Sequence, residues 1–391
     1  MSIATMDASA LGQPYHSNGS ASLAEIVNDL TPALAARASA ADETDVFVAE
    51  NYAMLKQAGL VAAGVPGELG GGGADVAELA DMLRRMAHAC GSTALAFSMH
   101  THQVAIPAWR WRHQKVSAVE PLLRRVATEN IVLLSSGGSD WIGGSGEARK
   151  VEGGYRVSAR KGFTSGAEAG DLLMTGAIAK EADGTAKVVH FGVPMKAAEV
   201  KVDKTWRTLG MRGTGSNDVL IDDLFIPDQG VALTRKAGEW HPVFQIIATI
   251  AFPLIYAAYL GVAESARDIA VKLAGRKEPT PYALDIAGRM DTALRAAQLA
   301  HRHMVSMVND TVPDADSVNE TMIGKALVAQ NAIRAVELAM ELAGGPGFYR
   351  SQGLERRFRD IQGARYHPLQ SGQQAHYAGA LALGRPVEAI Y

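Results

Sequence analysis

Sulfur chemistry is almost absent from this sequence. Cys90 is the single cysteine among 391 residues, so the chain cannot form an intrachain disulfide or a metal site built from several thiolates. Cys90 lies in the apolar stretch MAHACGSTALAF, where the pattern shows no paired base. A buried structural thiol is therefore favoured over a nucleophile.

An excess of charge of one sign is also missing. The chain has 38 Lys and Arg against 41 Asp and Glu, a net charge of -3, which gives no general attraction to nucleic acid or to an anionic membrane. Residues 1–22 contain neither Lys nor Arg, whereas signal and transit peptides need cationic residues. We expect a disordered tail over 1–22 and a cytoplasmic protein without nucleic-acid or membrane partners.

One uncharged run, from Pro242 to Ala263, is long enough to cross a bilayer. It contains Pro253, Gln245 and Thr249, and Glu264 follows it directly. A buried central helix is also hydrophobic on all sides, and a single membrane span would leave the other helices unexplained. The run therefore predicts a buried helix of a globular protein.

Periodicity divides the chain into three zones. Over 23–129, apolar residues recur at spacings of three and four, which predicts helices. Over 130–236, short β-branched or alternating runs are separated by glycine-rich turns, which predicts a compact antiparallel barrel or sandwich. The helical pattern returns over 237–391. We predict an α+β fold with an N-terminal helical domain (23–129), a central β-barrel (130–236) and a C-terminal helical bundle (237–391).

Four stretches, in order, resemble motifs of the acyl-CoA dehydrogenase superfamily. They are GLVAAGVPGELGGGGAD, VLLSSGGSDWIGGSGEARKVEGGYRVSARKGFTSGAEAGDLLMTGAI, WRTLGMRGTGSNDVLIDDLFIP and ELAGGPGFYRSQGLERRFRDIQ. The resemblance implies a helical N-terminal domain, a β-barrel and a C-terminal four-helix bundle. It also implies a homo-oligomer (a tetramer or a dimer) and a flavin, FAD or FMN, held between barrel and bundle.

The resemblance suggests where the flavin would be held. Phe163, Thr164 and Ser165 match the family's aromatic-x-Thr/Ser element, which packs on the flavin ring and donates to N5; the alternative is an ordinary strand end at a turn. Gly138 and Ser139 match the loop beside the pyrimidine or pyrophosphate.

Two further matches concern the far end of the cofactor. Gly344 and Gly345 match glycines that approach the adenine end of FAD in a neighbouring subunit. Arg276 lies where the family has a pyrophosphate-binding arginine, although an exposed arginine fits the pattern equally well. Arginines 350, 356, 357, 359 and 365 resemble a set that makes salt bridges between subunits in this fold.

The carboxylate base of the dehydrogenases is missing. In most members it is a Glu nine residues after the Arg of the "R-D" pair, and from Arg359 that count reaches Pro368. The alternative position used by some members falls near Ala251, in the acid-free run. An α-proton of a thioester cannot leave without a base within hydrogen-bond reach. Ordinary desaturation is therefore disfavoured.

His367, eight residues after Arg359, and Ser165–Gly166 resemble the oxygenase branch of the same superfamily, the two-component flavin-dependent monooxygenases. In that branch a histidine and a serine at these places assist the flavin C4a-hydroperoxide, which implies His367 and Ser165 as catalytic residues. His367 also fits a buried, hydrogen-bonded corner. His102 and Trp141 are candidates for lining the substrate pocket. His100 and His102 cannot share a helix face, so we predict no metal site there.

Three functions remain open at this point. The first is a two-component monooxygenase that uses reduced flavin from a separate reductase, O2 and a small organic substrate. The second is an FAD-dependent acyl-CoA dehydrogenase with a non-standard base, and the third is a non-catalytic flavin-binding relative. The missing Glu and the Ser165/His367 pair favour the first.

Overall fold

The computed structural model describes residues 21–136, 140–276, 278–310 and 312–387. Residues 1–20, which make up most of the predicted tail, lie outside this range. The N-terminal part consists of five α-helices: α1 (Leu23–Thr44), α2 (Ala49–Gln57), α3 (Val76–Ala89), α4 (Gly91–Gln114) and α5 (Glu120–Glu129). The helices predicted for the first zone are confirmed.

Local side-chain chemistry explains where two of these helices begin. At the start of α1, the Ser22 hydroxyl accepts the backbone N–H of Glu25, and the Glu25 carboxylate accepts the backbone N–H of Ser22. Asp75 and Glu78 form the same reciprocal pair at α3. Such boxes satisfy amide groups that the first helical turn leaves without partners.

The middle of the chain forms one eight-stranded sheet. Its strands are β1 (Leu133–Ser135), β2 (Glu147–Val151), β3 (Gly154–Thr164), β4 (Leu172–Lys180), β5 (Ala186–Pro194), β6 (Val200–Asp203), β7 (Asn217–Pro227) and β8 (Val231–Lys236). The order is β6-β7-β3-β2-β4-β5-β8, with β1 pairing with β4. The β1–β4 and β2–β4 pairings are parallel and the others antiparallel. The sheet is therefore mixed, whereas the sequence predicted an antiparallel one.

The C-terminal part is helical again. It contains α6 (Val243–Ala274), α7 (Pro281–Asp310), α8 (Ala315–Ala343), α9 (Leu354–Ile361) and α10 (Ser371–Ala382). Among the described residues, α6 is the one helix long and apolar enough to cross a membrane, but 94% of its most apolar window is buried inside the protein. It packs against α3 and α4, which precede the sheet in the chain, and against α7, α8 and α9, which follow it. The predicted buried helix is confirmed.

Arg359 and Asp360, on α9, join all three parts of the molecule. The Arg359 guanidinium donates to both carboxylate oxygens of Asp42 on α1, at 2.8 and 2.5 Å, and to Glu355 at 2.7 Å. The Asp360 carboxylate accepts the backbone N–H of Met211, in the loop before β7. Arg359 was expected to face another subunit, but its partner Asp42 belongs to its own chain. The arginine acts within the subunit because the folded chain brings α1 against α9.

We predict that Arg359→Gln destabilises the fold by about 2 kcal/mol, because it leaves the largely buried Asp42 carboxylate without its partner. The side chains of Arg359 and Asp42 are 17% and 12% exposed. Arg125→Gln is the matched control, since Arg125 and Glu129 form a pair that is half exposed on both sides and is worth at most about 0.5 kcal/mol. Urea unfolding measures both, and equal losses in the two variants would contradict the assignment.

Candidate active site

The end of β3 forms a strained turn that exposes an aromatic ring. Phe163 has φ 56°, a left-handed conformation that is uncommon for a residue with a side chain. Its ring is 63% exposed and meets the Trp206 indole edge to face, with centroids 6.0 Å apart. Strain of this kind persists where the surrounding structure imposes it, and it often marks functional sites. The turn therefore presents an apolar ring face beside Ser165.

Ser165 belongs to a chain of three buried hydroxyl groups. Its Oγ lies 2.8 Å from Ser216 Oγ, which lies 2.7 Å from Thr214 Oγ1. If donation runs from Thr214 through Ser216, the hydroxyl hydrogen of Ser165 is left available to a ligand. The Thr164 hydroxyl instead donates to the Lys161 carbonyl at 3.1 Å. Of the two hydroxyls predicted at this turn, that of Ser165 is the one whose hydrogen this arrangement can leave available.

Tyr52, on α2, was not singled out from the sequence. Its hydroxyl is buried and has no hydrogen-bond partner among the described residues. It lies next to the Ser165–Gly166 turn, since a Cβ on Gly166 would meet Tyr52 Oη at 2.9 Å. A buried donor without a partner is costly unless a ligand or water satisfies it. No pattern in the sequence distinguishes this tyrosine from a core residue.

His367 follows α9 and contacts α6. Its Nε2 lies 2.7 Å from the Tyr259 hydroxyl, and burial raises the pKa of Tyr259, so the tyrosine stays protonated and the ring tautomer sets which of the two groups donates. Desolvation, with smaller contributions from the charges of Lys325 and His102, lowers the pKa of His367 to about 3. The imidazole is therefore neutral, and it carries its proton on Nδ1 in the tautomer in which Tyr259 donates to Nε2.

His100 and His102, on α4, have different roles. His100 donates from Nε2 to the Val61 carbonyl at 2.8 Å and accepts the Leu133 N–H at Nδ1, 3.0 Å away. Both nitrogens are thus engaged in holding β1 to the helices. His102 donates from Nδ1 to the Ser98 carbonyl at 3.0 Å, which leaves the lone pair of Nε2 without a partner among the described bonds. Desolvation lowers the pKa of His102 to about 4.

Trp141 lies in an aromatic cluster between the sheet and α6. Its ring meets the edges of Trp240, Phe244 and Phe252 at centroid distances of 5.3 to 5.7 Å. Its Nε1 is buried and has no hydrogen-bond partner within the described chain. Arg235 fixes the backbone here by donating to the Trp141 carbonyl at 2.6 Å. The indole N–H is thus a buried donor without a partner in the described chain.

Other residues predicted from the sequence lie apart from this region. Arg276 is exposed just after α6, and Gly344 and Gly345 are exposed just after α8. Neither glycine has an atom within 4 Å of where a Cβ would be, so the backbone there is open to close approach. Gly138 and Ser139 lie outside the described residues. In the part of the chain that the structure describes, no group of three His, Cys, Asp or Glu side chains is placed to hold a metal ion.

The fold places helices before and after one mixed sheet, and the candidate site offers hydroxyl, imidazole and aromatic groups where the sheet and the helices meet. Comparison with known families is consistent with it. The family model for the acyl-CoA dehydrogenase N-terminal domain matches residues 22–124, and that for the C-terminal domain matches residues 254–371. Together they match more than half of the chain, which therefore belongs to the acyl-CoA dehydrogenase superfamily.

Several relatives are similar over nearly their whole length. The putative acyl-CoA dehydrogenase YdbM of Bacillus subtilis is 26% identical, with 88% of this chain and 91% of the relative covered. The amino sugar nitrososynthase RubN8 of Streptomyces rubradiris is 26% identical, with 90% and 87% covered. The oxygenase component of p-hydroxyphenylacetate 3-hydroxylase from Acinetobacter baumannii is 24% identical, with 87% and 83% covered.

A solved structure extends the comparison to a cofactor. KijD3, in complex with FMN and a dTDP-linked amino sugar, superposes with a TM-score of 0.86 at 26% identity, covering 94% of each chain. The cofactor of this chain is accordingly a flavin, FAD or FMN. The residues fit such a group: the exposed Phe163 ring offers a wall, and the Ser165 hydroxyl and the unsatisfied Tyr52 hydroxyl offer donors for the oxygens and nitrogens of a flavin edge.

Buried neutral histidines predict a stability that falls in acid. Desolvation lowers the pKa values of His100, His102 and His301 to about 4, whereas an unfolded histidine titrates near 6.5. Below pH 6.5 the unfolded chain takes up protons that the folded chain refuses, so these groups stabilise the fold above pH 6.5 and this stability is lost as pH falls toward 4.

Each such histidine contributes a slope of about 1.4 kcal/mol per pH unit within that window. We expect His301→Asn, which removes a donor to the Pro253 carbonyl, to lower stability at pH 7 and to flatten the slope between pH 6 and 5 by about one proton. Urea unfolding across pH 5–8.5 measures this. An unchanged slope in the variant would show that His301 is protonated in the folded protein.

Proposed function

We propose that this protein is a flavin-dependent monooxygenase that takes reduced flavin from a separate reductase and oxygenates a small organic substrate. The observation that carries the proposal is the neutral His367 imidazole, one residue before Pro368, which stands where most dehydrogenases of this superfamily have their carboxylate. Among the described residues, the groups whose charges act on His367 are Lys325 and His102, and neither is an acid. Ala251, the alternative position for a base, is 4% exposed inside α6.

The cofactor would supply the redox chemistry. When bound in its reduced form, the flavin provides two electrons to O2, so that one oxygen atom enters the substrate and the other leaves as water. Ser165 would donate its free hydroxyl hydrogen to the flavin edge, and Phe163 would cover one face of the ring. Gly138, Ser139, Arg276, Gly344 and Gly345 remain predicted contacts to the rest of the cofactor.

The two histidines would form hydrogen bonds of opposite sense. When Tyr259 donates to its Nε2, the neutral His367 ring can donate from Nδ1, whereas His102 has a bare Nε2 that can accept. A substrate hydroxyl or amine could therefore donate a hydrogen bond to His102 while oxygen accepts one from His367, and both rings keep their neutral form. Burial keeps both rings neutral and excludes water from them. Exclusion of water limits the wasteful reaction in which reduced flavin and O2 yield hydrogen peroxide without oxygenating the substrate. Trp141 Nε1 would orient the substrate.

Two relatives support this chemistry. A nitrososynthase acts on an amino sugar, and the p-hydroxyphenylacetate enzyme is by name the oxygenase component of a larger system. A separate reductase for this chain is inferred from the second. We also infer a homo-oligomer, because Phe348 and Tyr349, beside Gly344 and Gly345, are 81% and 68% exposed and such apolar surface is usually covered by a partner.

The proposal is tested by an anaerobic titration of the purified protein with oxidised and with chemically reduced FMN and FAD. We expect the reduced form to bind at least about tenfold more tightly, a difference of about 1.4 kcal/mol. Reaction with ¹⁸O2 in the presence of phenol, arene and amine substrates should then place the label in a product. A protein that holds oxidised FAD tightly and is bleached by an acyl-CoA without oxygen would be a dehydrogenase instead.

His367→Ala and Ser165→Ala should each lower oxygenated product per reduced flavin by about 100-fold, which is typical for loss of a general acid or a preorganised donor. Their urea midpoints should change little in comparison. His303→Ala, on the exposed side of α7, is the control and should behave as the wild type. Normal product yield in both site variants would remove these residues from the mechanism.

A further inference from the structure

Lys325 is a buried cation on α8 that the proposed chemistry does not use. It is 5% exposed. Within the described residues no carboxylate lies within 4.0 Å of its ammonium group, whereas the other lysine buried to this degree, Lys161, pairs with Asp140 at 3.0 Å. A charged group removed from water without a partner is strongly destabilising. Its presence here therefore needs a specific set of contacts.

Those contacts are with the segment that carries His367. Lys325 Nζ donates to the His367 carbonyl at 2.9 Å and also to the Leu369 carbonyl. The two carbonyls flank Pro368, which has no N–H of its own to hold the segment in place. The ammonium also lies 5.2 Å from the centre of the Phe252 ring. One side chain thus ties the backbone on both sides of Pro368 to α8.

The same segment is also held by α6. Tyr256 Oη donates to the Ala364 carbonyl at 2.7 Å, and Tyr259 Oη contacts His367 Nε2. The imidazole can keep the Tyr259 bond only while its backbone stays in place. Because the ring and its backbone have separate anchors, losing the Lys325 anchor would free the backbone and weaken the ring's bond.

We propose that Lys325 is a positioning residue for His367: its ammonium fixes the backbone around Pro368, and so fixes the imidazole that the proposed oxygenation uses. This inference rests on the proposed function for its catalytic consequence, but not for its structural one. Charged and titratable groups that face Lys325 and His367 come from four elements: His102 on α4, Tyr256 and Tyr259 on α6, Arg334 and Glu337 on α8, and Arg365 after α9.

Charge strengthens the effect. The Lys325 ammonium lowers the pKa of His367 beyond what desolvation achieves, so it favours the neutral ring. Desolvation in turn lowers the pKa of Lys325 to about 7, and an uncharged amine still has two N–H groups for the two carbonyls. The backbone anchor therefore survives a change in the charge of Lys325, whereas an apolar side chain cannot replace it.

The first test follows His367 directly by NMR of protein labelled at histidine ¹³Cε1, with His367→Asn used to assign its signal. In the wild type the ring should stay neutral down to pH 5. In Lys325→Met the freed and rehydrated ring should titrate closer to the ordinary value near 6.5, so that it is more than about tenfold more protonated at pH 6. Lys325→Arg, which keeps donors and charge, should restore much of the wild-type titration.

The second test measures product formed per reduced flavin and flavin affinity. Lys325→Met should lower the yield by about tenfold through misplacement of the ring, while the Kd for reduced flavin changes less than twofold. Glu337→Gln is the control, because Glu337 lines the same cavity of about 260 Å³ beside Lys325 and has no bond to the His367 segment. If Lys325→Met does not fold, Lys325→Gln replaces it in both tests.

The outcomes separate the two proposals. A shifted His367 titration in a protein that oxygenates no substrate would leave the positioning role standing and overturn the proposed function. An active wild type in which Lys325→Met shows an unchanged His367 titration and an unchanged yield would overturn the positioning role alone. An equal loss of yield in Glu337→Gln would also overturn it, since the effect would then belong to the cavity as a whole.

Discussion

The burial of α6 is the constraint on which the rest of this structure depends. The first 21 residues of this helix, 243–263, carry no charge and are almost all buried, so this part has no side to give to water and is stable only when other elements cover it all round. Helices from before and after the sheet supply that cover. The approach is close: a Cβ on Gly261 would meet the Arg84 carbonyl at 2.1 Å. The helices that precede the sheet and those that follow it are thereby packed around α6.

The same burial sets the chemistry of the candidate site. Tyrosine hydroxyls on a fully covered helix must find partners inside the protein, and those of Tyr256 and Tyr259 find them in the segment that leads to His367. Desolvation keeps that imidazole neutral, and the contact with Tyr259 engages its Nε2. Packing, hydrogen bonding and protonation at this place are therefore consequences of one buried helix and not separate features.

Local patterns in the sequence predicted the parts of this arrangement that depend on neighbours in the chain. Alternating runs predicted six of the eight strands. β2 (EARKV) and β8 (VALTRK) gave too weak a signal, since each has a single fully buried residue, Ala148 and Arg235. Motif spacing pointed to Ser165 and His367. Pairings between distant residues were not predictable from one sequence: Arg359 and Asp42 are 317 residues apart, and Tyr259 and His367 are 108 apart.

His100 and His102 show why pairings matter more than residue types for function. The two look equivalent in the sequence, yet the partners of His100 occupy both its nitrogens, whereas His102 keeps one free. A dehydrogenase base takes up an α-proton, and a carboxylate becomes neutral when it does so. Two neutral rings, one able to donate a hydrogen bond and one able to accept, suit a reaction whose substrate is oriented without separating charge in a dry interior, where separated charge is costly. Oxygen transfer to a neutral substrate is a reaction of that kind.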